Sequence, residues 1–219
     1  MIRAVLFDLD GTLVDSAPDL GHAINLMRER RGQPPLPAWA IRAQASHGAQ
    51  ALIKLGCGVA QGDSGFSELR QEFMAIYSAH LAEQSTLFPG MDRLLAELEC
   101  RAIPWGVVTN KPACLTDPLL EQLGLSGRSA CVVSGDTCTR PKPAPEPMLH
   151  ACRLVAAEPA DCLYVGDAER DVLAARAVAM PVVVALYGYL SEADQPDEWG
   201  ADGYIRQPLE LLDYPGLAP

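Results

Sequence analysis

A chain of 219 residues is long enough for one large domain, or a domain with an insertion, that buries about 70% of its unfolded surface. Its net charge of −11 argues against a nucleic-acid partner, because binding to phosphate backbones depends on clustered Lys and Arg. No signal-like apolar stretch or membrane-spanning window is present, and the seven cysteines form no Cys-x-x-Cys pair. We therefore expect a soluble, cytoplasmic protein with reduced thiols and no membrane association.

The first apolar run, Ala4–Phe7, is followed directly by the acidic residues Asp8 and Asp10 and a Gly-Thr turn. If the run is a strand, alternation places both carboxylates on the same side. Two such charges about 4 Å apart repel by about 4 kcal/mol at an effective dielectric near 20, so a cation between them is expected. A simple strand-ending turn is the alternative interpretation. The apolar flanks favour a phosphoryl-transfer site with a hard ion such as Mg²⁺.

The segment between Asp15 and Phe88 contains no comparable strand and is interpreted as a helical insert. Four helices are predicted there: one from about Pro18 to Gly32, then Ala40–Ala45, Ala49–Leu55 and Phe66–Leu81. Their apolar stripes are typical of a bundle core rather than of a ligand site. Because the insert leaves and rejoins the chain near the aspartates, we expect it to act as a lid.

Strand-like and helix-like segments alternate in the rest of the chain. The strands are predicted at Ala4–Phe7, Trp105–Val108, Ala130–Val133, Cys162–Val165 and Val182–Leu186. The helices are predicted at Met91–Ala102, Ala113–Leu123, Glu146–Ala156 and Arg170–Ala179. This order predicts an α/β fold with a Rossmann-like open parallel sheet. We divide the chain into a core of residues 1–15 and 89–219 and a helical cap of residues 16–88, with loop, a final strand and a turn after Ser191.

Chemically useful residues stand just after each predicted strand, where ligands bind in such sheets. Thr109-Asn110-Lys111 follows the second run, an Arg140–Pro143 loop follows the third, and Asp167 and Asp171 follow the fourth. Taken singly, Thr109-Asn110 is better explained by a turn and Lys142 by a solvated surface lysine, while Asp167 is explained equally well by a helix N-cap. Their register after successive strands favours one shared phosphate site.

In this order the four segments resemble the four motifs of the haloacid dehalogenase superfamily. The insertion after the first motif is similar to that of the phosphoglycolate phosphatase-like subgroup, and the resemblance spans essentially the whole chain. It implies a Mg²⁺-dependent phosphomonoesterase that acts on a small phosphorylated metabolite. Ala144 and Ala179 depart from the usual pattern, where relatives often have Asp and Gly, which bears on loop geometry rather than on the chemistry.

The resemblance implies a role for each acidic residue. Asp8 would be the nucleophile that forms an aspartyl-phosphate, and Asp10 would protonate the leaving group and then activate water. Mg²⁺ would be held by Asp8, the backbone carbonyl of Asp10 and Asp167. Asp171 would orient a metal-bound water or Lys142.

The remaining candidate residues would bind the substrate. The Thr109 hydroxyl and the Asn110 backbone N–H would contact the phosphoryl oxygens, while the Lys142 ammonium would offset the carboxylates. Specificity is expected from the helix-breaking step in the insert, formed by Ser46, His47 and Gly48, where a helix N-terminus favours anions. Arg42 is expected only on a solvated face.

Three segments, Trp105–Pro112, Tyr187–Tyr189 and Trp199–Asp202, resemble phosphatases of bacterial cell-wall recycling that act on N-acetylmuramic acid 6-phosphate. We favour that ester as substrate, followed by 2-phosphoglycolate. A β-phosphoglucomutase-like phosphomutase and a non-catalytic binding protein with the same fold are the alternatives, while Asp10 and Lys142 disfavour a dehalogenase. The sequence indicates no oligomeric state.

Overall fold

The computed structural model describes residues 1–217. The strands are β1 Ala4–Phe7, β2 Val14–Asp15, β3 Thr86–Leu87, β4 Trp105–Val108, β5 Cys131–Val133, β6 Cys162–Gly166, β7 Val182–Ala185 and β8 Gly203–Ile205. The helices are α1 Ala17–Glu29, α2 Ala38–Ala45, α3 Gly48–Cys57, α4 Phe66–Ala79, α5 Met91–Cys100, α6 Ala113–Gln122, α7 Glu146–Leu154 and α8 Glu169–Arg176. Short 3-10 helices span Pro159–Asp161, Pro196–Glu198 and Pro208–Asp213.

Six strands form one parallel sheet in the order β5-β4-β1-β6-β7-β8. The first strand is central, with Val5 opposite Trp105 on one side and Leu163 on the other. The chain therefore winds outward in both directions from β1, and the crevice at the carboxyl ends of β4, β1 and β6 is where ligands bind in such sheets. The predicted α/β fold with an open parallel sheet is confirmed.

The strand cores are apolar because helices cover both faces of the sheet. Every residue of β1, β4, β6 and β7 is buried. Two apolar clusters result, one on each face, and the larger continues from the sheet into the α1–α4 helices. All seven cysteines are free thiols. No helix within residues 1–217 is both long and apolar enough to cross a membrane.

The helical insert, defined here as α1–α4, packs its apolar stripes together. Ile24 and Met27 of α1 and Phe73 and Ile76 of α4 are all at least 94% buried, as expected for a bundle core. The insert joins the sheet through β2 and β3, which pair antiparallel with Val14 opposite Leu87. These strands have only two residues each, too few to show a hydrophobic periodicity, so the sequence did not predict them. The division of the chain into core and cap at residues 16 and 88 stays a prediction.

Helix ends differ from expectation by a few residues. The α3 helix continues to Cys57, two residues beyond the predicted end at Leu55, and its end is marked by Gly58 at φ +73°. The α8 helix begins at Glu169 and is preceded by Ala168, so the interpretation of Asp167 as its N-cap is wrong. The final strand after Ser191 is present as β8.

Candidate active site

The carboxyl ends of the central strands open into a cavity of about 690 Å³ between the sheet and the helical insert. It brings together most of the residues that the sequence analysis selected: Asp8, Asp10, Thr109, Asn110 and Lys142 from the sheet side, and Ser46, His47 and Gly48 from the insert. Asp167 and Asp171 lie buried beside it, next to Asp8.

Asp8 directly follows β1 and is 3% exposed. Its Oδ1 accepts a hydrogen bond from the Leu9 N–H at 2.7 Å and lies 3.0 Å from the Lys142 Nζ. Its Oδ2 lies 3.8 Å from the Arg170 guanidinium. Oδ1 thus has one hydrogen-bond donor and a close ammonium beside it, while Oδ2 has only a more distant cation.

Lys142 is buried and its ammonium is fully engaged. Nζ donates to the Val108 carbonyl at 2.8 Å, to the Tyr164 hydroxyl at 2.7 Å and to Asp171 Oδ1 at 2.7 Å. The loop that carries it is held by Asn110, whose side-chain amide donates to the Lys142 carbonyl at 2.8 Å and accepts from its N–H at 2.9 Å. The Asn110 side chain therefore fixes the Lys142 loop.

Three carboxylates form an acidic cluster, since oxygens of Asp8, Asp167 and Asp171 lie within 4.8 Å of one another. Asp167 Oδ2 accepts hydrogen bonds from the Tyr189 N–H at 2.8 Å and the Ser46 hydroxyl at 2.6 Å. Its Oδ1 is buried without a hydrogen-bond partner among residues 1–217. Burial and the charges of Asp8 and Asp171 raise the pKa of Asp167 to about 7. Three carboxylates lie close together, and Asp167 Oδ1 is buried with no hydrogen-bond partner in the described part of the chain. Oxygen ligands of this kind suit a hard divalent cation.

The side chain of Asp10 is directed elsewhere. It accepts a hydrogen bond from the Ser16 hydroxyl and two from the Lys111 ammonium, at 3.0 and 3.2 Å. The cation beside the Asp10 side chain is the ammonium of Lys111, and the expected metal ion between the two side chains of the first motif stays a prediction. A metal contact through the Asp10 backbone carbonyl stays a prediction.

Two basic residues near the aspartates received no role from the sequence. Lys111 directly follows Asn110, and its Nζ also donates to the Tyr77 hydroxyl of α4 at 2.7 Å. Arg170 stands between Asp167 and Asp171 in the chain and lines the cavity. Both lie within the segments that resemble the superfamily motifs, and this position was the one sequence feature that could have indicated a role for them. Their partners became visible only once the strand order was known.

The residues of the insert differ in how they meet the core. Ser46 reaches Asp167, whereas His47 is exposed at the cavity wall and Gly48 begins α3 with φ +71°. Arg42 is half-buried rather than solvated: it binds both Asp15 oxygens at 2.8 and 2.9 Å. The expectation for Arg42 was wrong because this pairing depends on the fold.

Comparison with known proteins agrees with the geometry. The profile described as haloacid dehalogenase-like hydrolase matches residues 2–179. The chain belongs to this family. Among curated relatives of the hydrolase, an N-acetylmuramic acid 6-phosphate phosphatase of Pseudomonas putida is 41% identical over 96% of this chain and 94% of its own length. A phosphoglycolate phosphatase of Xanthomonas campestris pv. campestris is 44% identical over 96% and 95%, respectively.

A solved structure shows the same architecture in three dimensions. A predicted phosphoglycolate phosphatase from Haemophilus somnus superposes with a TM-score of 0.85 and 26% identity, covering 97% of each chain. Together with the curated relatives, this similarity confirms the predicted superfamily and identifies the hydrolase as a phosphatase.

Proposed function

We propose that this phosphatase hydrolyses a sugar phosphomonoester, with N-acetylmuramic acid 6-phosphate as favoured substrate and Mg²⁺ as cofactor. The observation that carries the proposal is a cavity of about 690 Å³ that is lined by Asp8 and Asp10 on one side and by residues of the helical insert on the other. Cavities of about 300–1,000 Å³ hold ligands of drug-like size. A two-carbon ester such as 2-phosphoglycolate would fill only a small part of that volume, whereas an amino-sugar phosphate makes use of both walls.

Asp8, Asp167 and the Asp10 carbonyl would hold the divalent ion. The unsatisfied Oδ1 of Asp167 supports this assignment, because a buried carboxylate oxygen needs a partner. When bound, the ion would polarise the phosphoryl group and offset the charge of the carboxylates. Asp171, whose Oδ1 already accepts from Lys142, would act by orienting that lysine.

Asp8 would attack phosphorus with the carboxylate oxygen that Lys142 and Leu9 leave free, Oδ2. A bond forms between this oxygen and phosphorus while the bond from phosphorus to the sugar oxygen breaks. The product of this step is an aspartyl-phosphate and the free alcohol. Hydrolysis then occurs by attack of water on phosphorus, which releases phosphate and restores the Asp8 carboxylate.

Asp10 would handle the protons of both steps. Its acid form donates a proton to the departing sugar oxygen, and the resulting carboxylate then takes a proton from the attacking water. Asp10 lies two residues beyond the nucleophile and lines the same cavity, which supports this role.

Thr109, Asn110, Lys142 and Arg170 would stabilise the phosphoryl group through fixed donors and positive charge. The helical insert would act as a lid that excludes water and selects the alcohol. Its contact through Ser46 to Asp167 shows that residues of the insert reach the acidic cluster.

A screen of phosphomonoesters with added MgCl₂ tests the proposal. We expect the highest kcat/KM for N-acetylmuramic acid 6-phosphate, loss of activity with EDTA and its return with excess Mg²⁺. Replacement Asp8→Asn should abolish turnover, since the amide is not a nucleophile, with a loss of more than about 10³-fold. The matched control is Asp117→Asn on the exposed face of α6, which should keep wild-type activity.

Other outcomes of the screen would redirect the proposal. A higher kcat/KM for 2-phosphoglycolate would assign the smaller acid, the activity named for the relative from Xanthomonas campestris. Isomerised product that depends on a sugar bisphosphate would indicate a phosphomutase. Absence of turnover on every ester would refute the phosphomonoesterase.

A further inference from the structure

We propose that Lys111 positions the carboxylate of Asp10, and that Tyr77 extends this control to the helical insert. The inference rests on the proposed function, since Asp10 is the proton donor of that reaction. It assigns Lys111 as a positioning residue and makes the presence of α4 a condition for efficient proton transfer to the leaving alcohol.

The ammonium of Lys111 lies between one residue of the core and one of the insert. Its side chain is 5% exposed and follows β4. Nζ is 3.0 Å from Asp10 Oδ1, 3.2 Å from Asp10 Oδ2 and 2.7 Å from the Tyr77 hydroxyl. It also lies 4.6 Å from the centre of the Tyr77 ring, within the range of a cation–π contact.

These contacts use the full donor capacity of the side chain. A lysine ammonium has three N–H groups and no acceptor, and here they meet two oxygens of Asp10 and one of Tyr77. Burial alone would lower the pKa of Lys111, but Asp10 and Tyr77 outweigh it and the pKa is raised, so the amine stays charged. Its geometry therefore suits the orientation of Asp10 rather than direct binding of phosphate.

Asp10 is held from two directions. Lys111 approaches from the loop after β4, and Ser16, immediately before α1, donates its hydroxyl to the same carboxylate. A carboxylate fixed by two donors cannot swing freely, and misplacement of a catalytic group by about 1 Å costs about 10²-fold in rate.

Tyr77 connects this arrangement to the insert. It belongs to α4, is 1% exposed, and has a pKa raised to about 12 by burial, so the hydroxyl keeps its proton at neutral pH. Displacement of α4 would remove both the oxygen and the ring from Lys111. The lysine would then have one N–H without its partner and would hold Asp10 less firmly.

The test is the dependence of kcat on the leaving group, measured with a series from p-nitrophenyl phosphate to alkyl phosphates. Proton donation matters most for poor leaving groups, so Lys111→Met should lower kcat about 100-fold for alkyl phosphates and less than about 5-fold for p-nitrophenyl phosphate. Tyr77→Phe, which keeps the ring, should show the same selectivity with a loss of about 10-fold. Inhibition by inorganic phosphate should stay unchanged in both variants.

Matched controls separate positioning from a general effect. Lys54→Met on the exposed face of α3 and Tyr204→Phe on the 37% exposed edge of the sheet should keep wild-type rates for both ends of the series. In an Asp10→Asn background, Lys111→Met should produce no further change in the leaving-group slope.

An equal loss for all leaving groups, or a change confined to KM, would overturn the inference while leaving the phosphatase assignment intact. If Lys111→Met fails to fold, the mild Tyr77→Phe variant decides by the same measurement. A wild-type enzyme that hydrolyses no member of the series would refute the proposed function, and the inference with it.

Discussion

The ammonium of Lys142 has four oxygen neighbours at 2.7 to 3.0 Å, two from carboxylates and two from uncharged groups. Asp8 and Asp171, its charged partners, are both at least 97% buried. Ions in such places are tolerated because they are paired and hydrogen-bonded, and removing one partner leaves the other charge buried and alone. The same lysine therefore contributes to stability in addition to its proposed role in the chemistry.

Replacement of Lys142 by Met tests this dependence. We expect loss of activity and a decrease of about 3–5 kcal/mol in the free energy of unfolding, as for other broken buried pairs. The measurement is urea denaturation in metal-free buffer at pH 7, with Lys54→Met as control. The double variant Lys142→Met/Asp171→Asn should lose less stability than the two single losses added together. Strict additivity would show that the pair is not coupled.

At the level of elements, the loop between α8 and β7 contains a residue under strain. Ala179, where the superfamily resemblance implied Gly, has φ +56°. This left-handed conformation costs an L-residue about 1–2 kcal/mol, because Cβ approaches the following carbonyl oxygen. The departure noted in the sequence thus has a backbone consequence, away from the cavity.

Ala179→Gly should consequently increase the free energy of unfolding by about 0.5–1 kcal/mol, the relief of strain less the greater chain entropy of glycine. The control is Ala177→Gly two residues earlier, where φ is −59° and glycine offers only entropy. That variant should lose about 0.5–1 kcal/mol. Chemical denaturation of both variants checks the sign, and a loss of stability in Ala179→Gly would contradict the interpretation.

Elements were predictable from the sequence where the signal is local. Strands such as Ala4–Phe7 and Trp105–Val108 are continuous apolar runs because both faces of the sheet are covered, and their bounds were found without error. By contrast, β2 and β3 are two residues each, and only their mutual pairing creates them. The ion pair between Lys111 and Asp10 spans 101 positions and depends on β4 lying beside β1, which no local pattern records.

For the whole molecule, the acidic cluster makes stability depend on pH. Asp167 has an ordinary pKa of 3.8 that burial and the neighbouring Asp8 and Asp171 raise to about 7. The folded state therefore binds more protons than the unfolded state between these values. Without a divalent ion, this group makes the free energy of unfolding fall as pH rises from about 4 to about 7.

A divalent ion bound at the proposed site would compete with the proton on Asp167, so its stabilising effect should grow with pH. We expect a larger increase in Tm on adding MgCl₂ at pH 8 than at pH 5, measured by calorimetry or circular dichroism. The variant Asp167→Asn, which cannot ionise, should lose most of that difference. An equal Mg²⁺ effect at both pH values in the wild-type protein would contradict the assignment of Asp167.

The short ladder of β2 and β3 places the two chain crossings to the helical insert side by side, with Val14 opposite Leu87 and Asp15 opposite Thr86. Because the chain leaves the sheet and returns to it at neighbouring points, the segment between β2 and β3 forms a detour that begins and ends at the same place on the sheet. Such a detour can change in length or sequence without altering the spacing of the sheet strands, including β1, which Asp8 follows. Because Ser46 and Tyr77 of that detour contact Asp167 and Lys111, an exchanged insert would have to keep these two contacts for the site on the sheet side to stay the same.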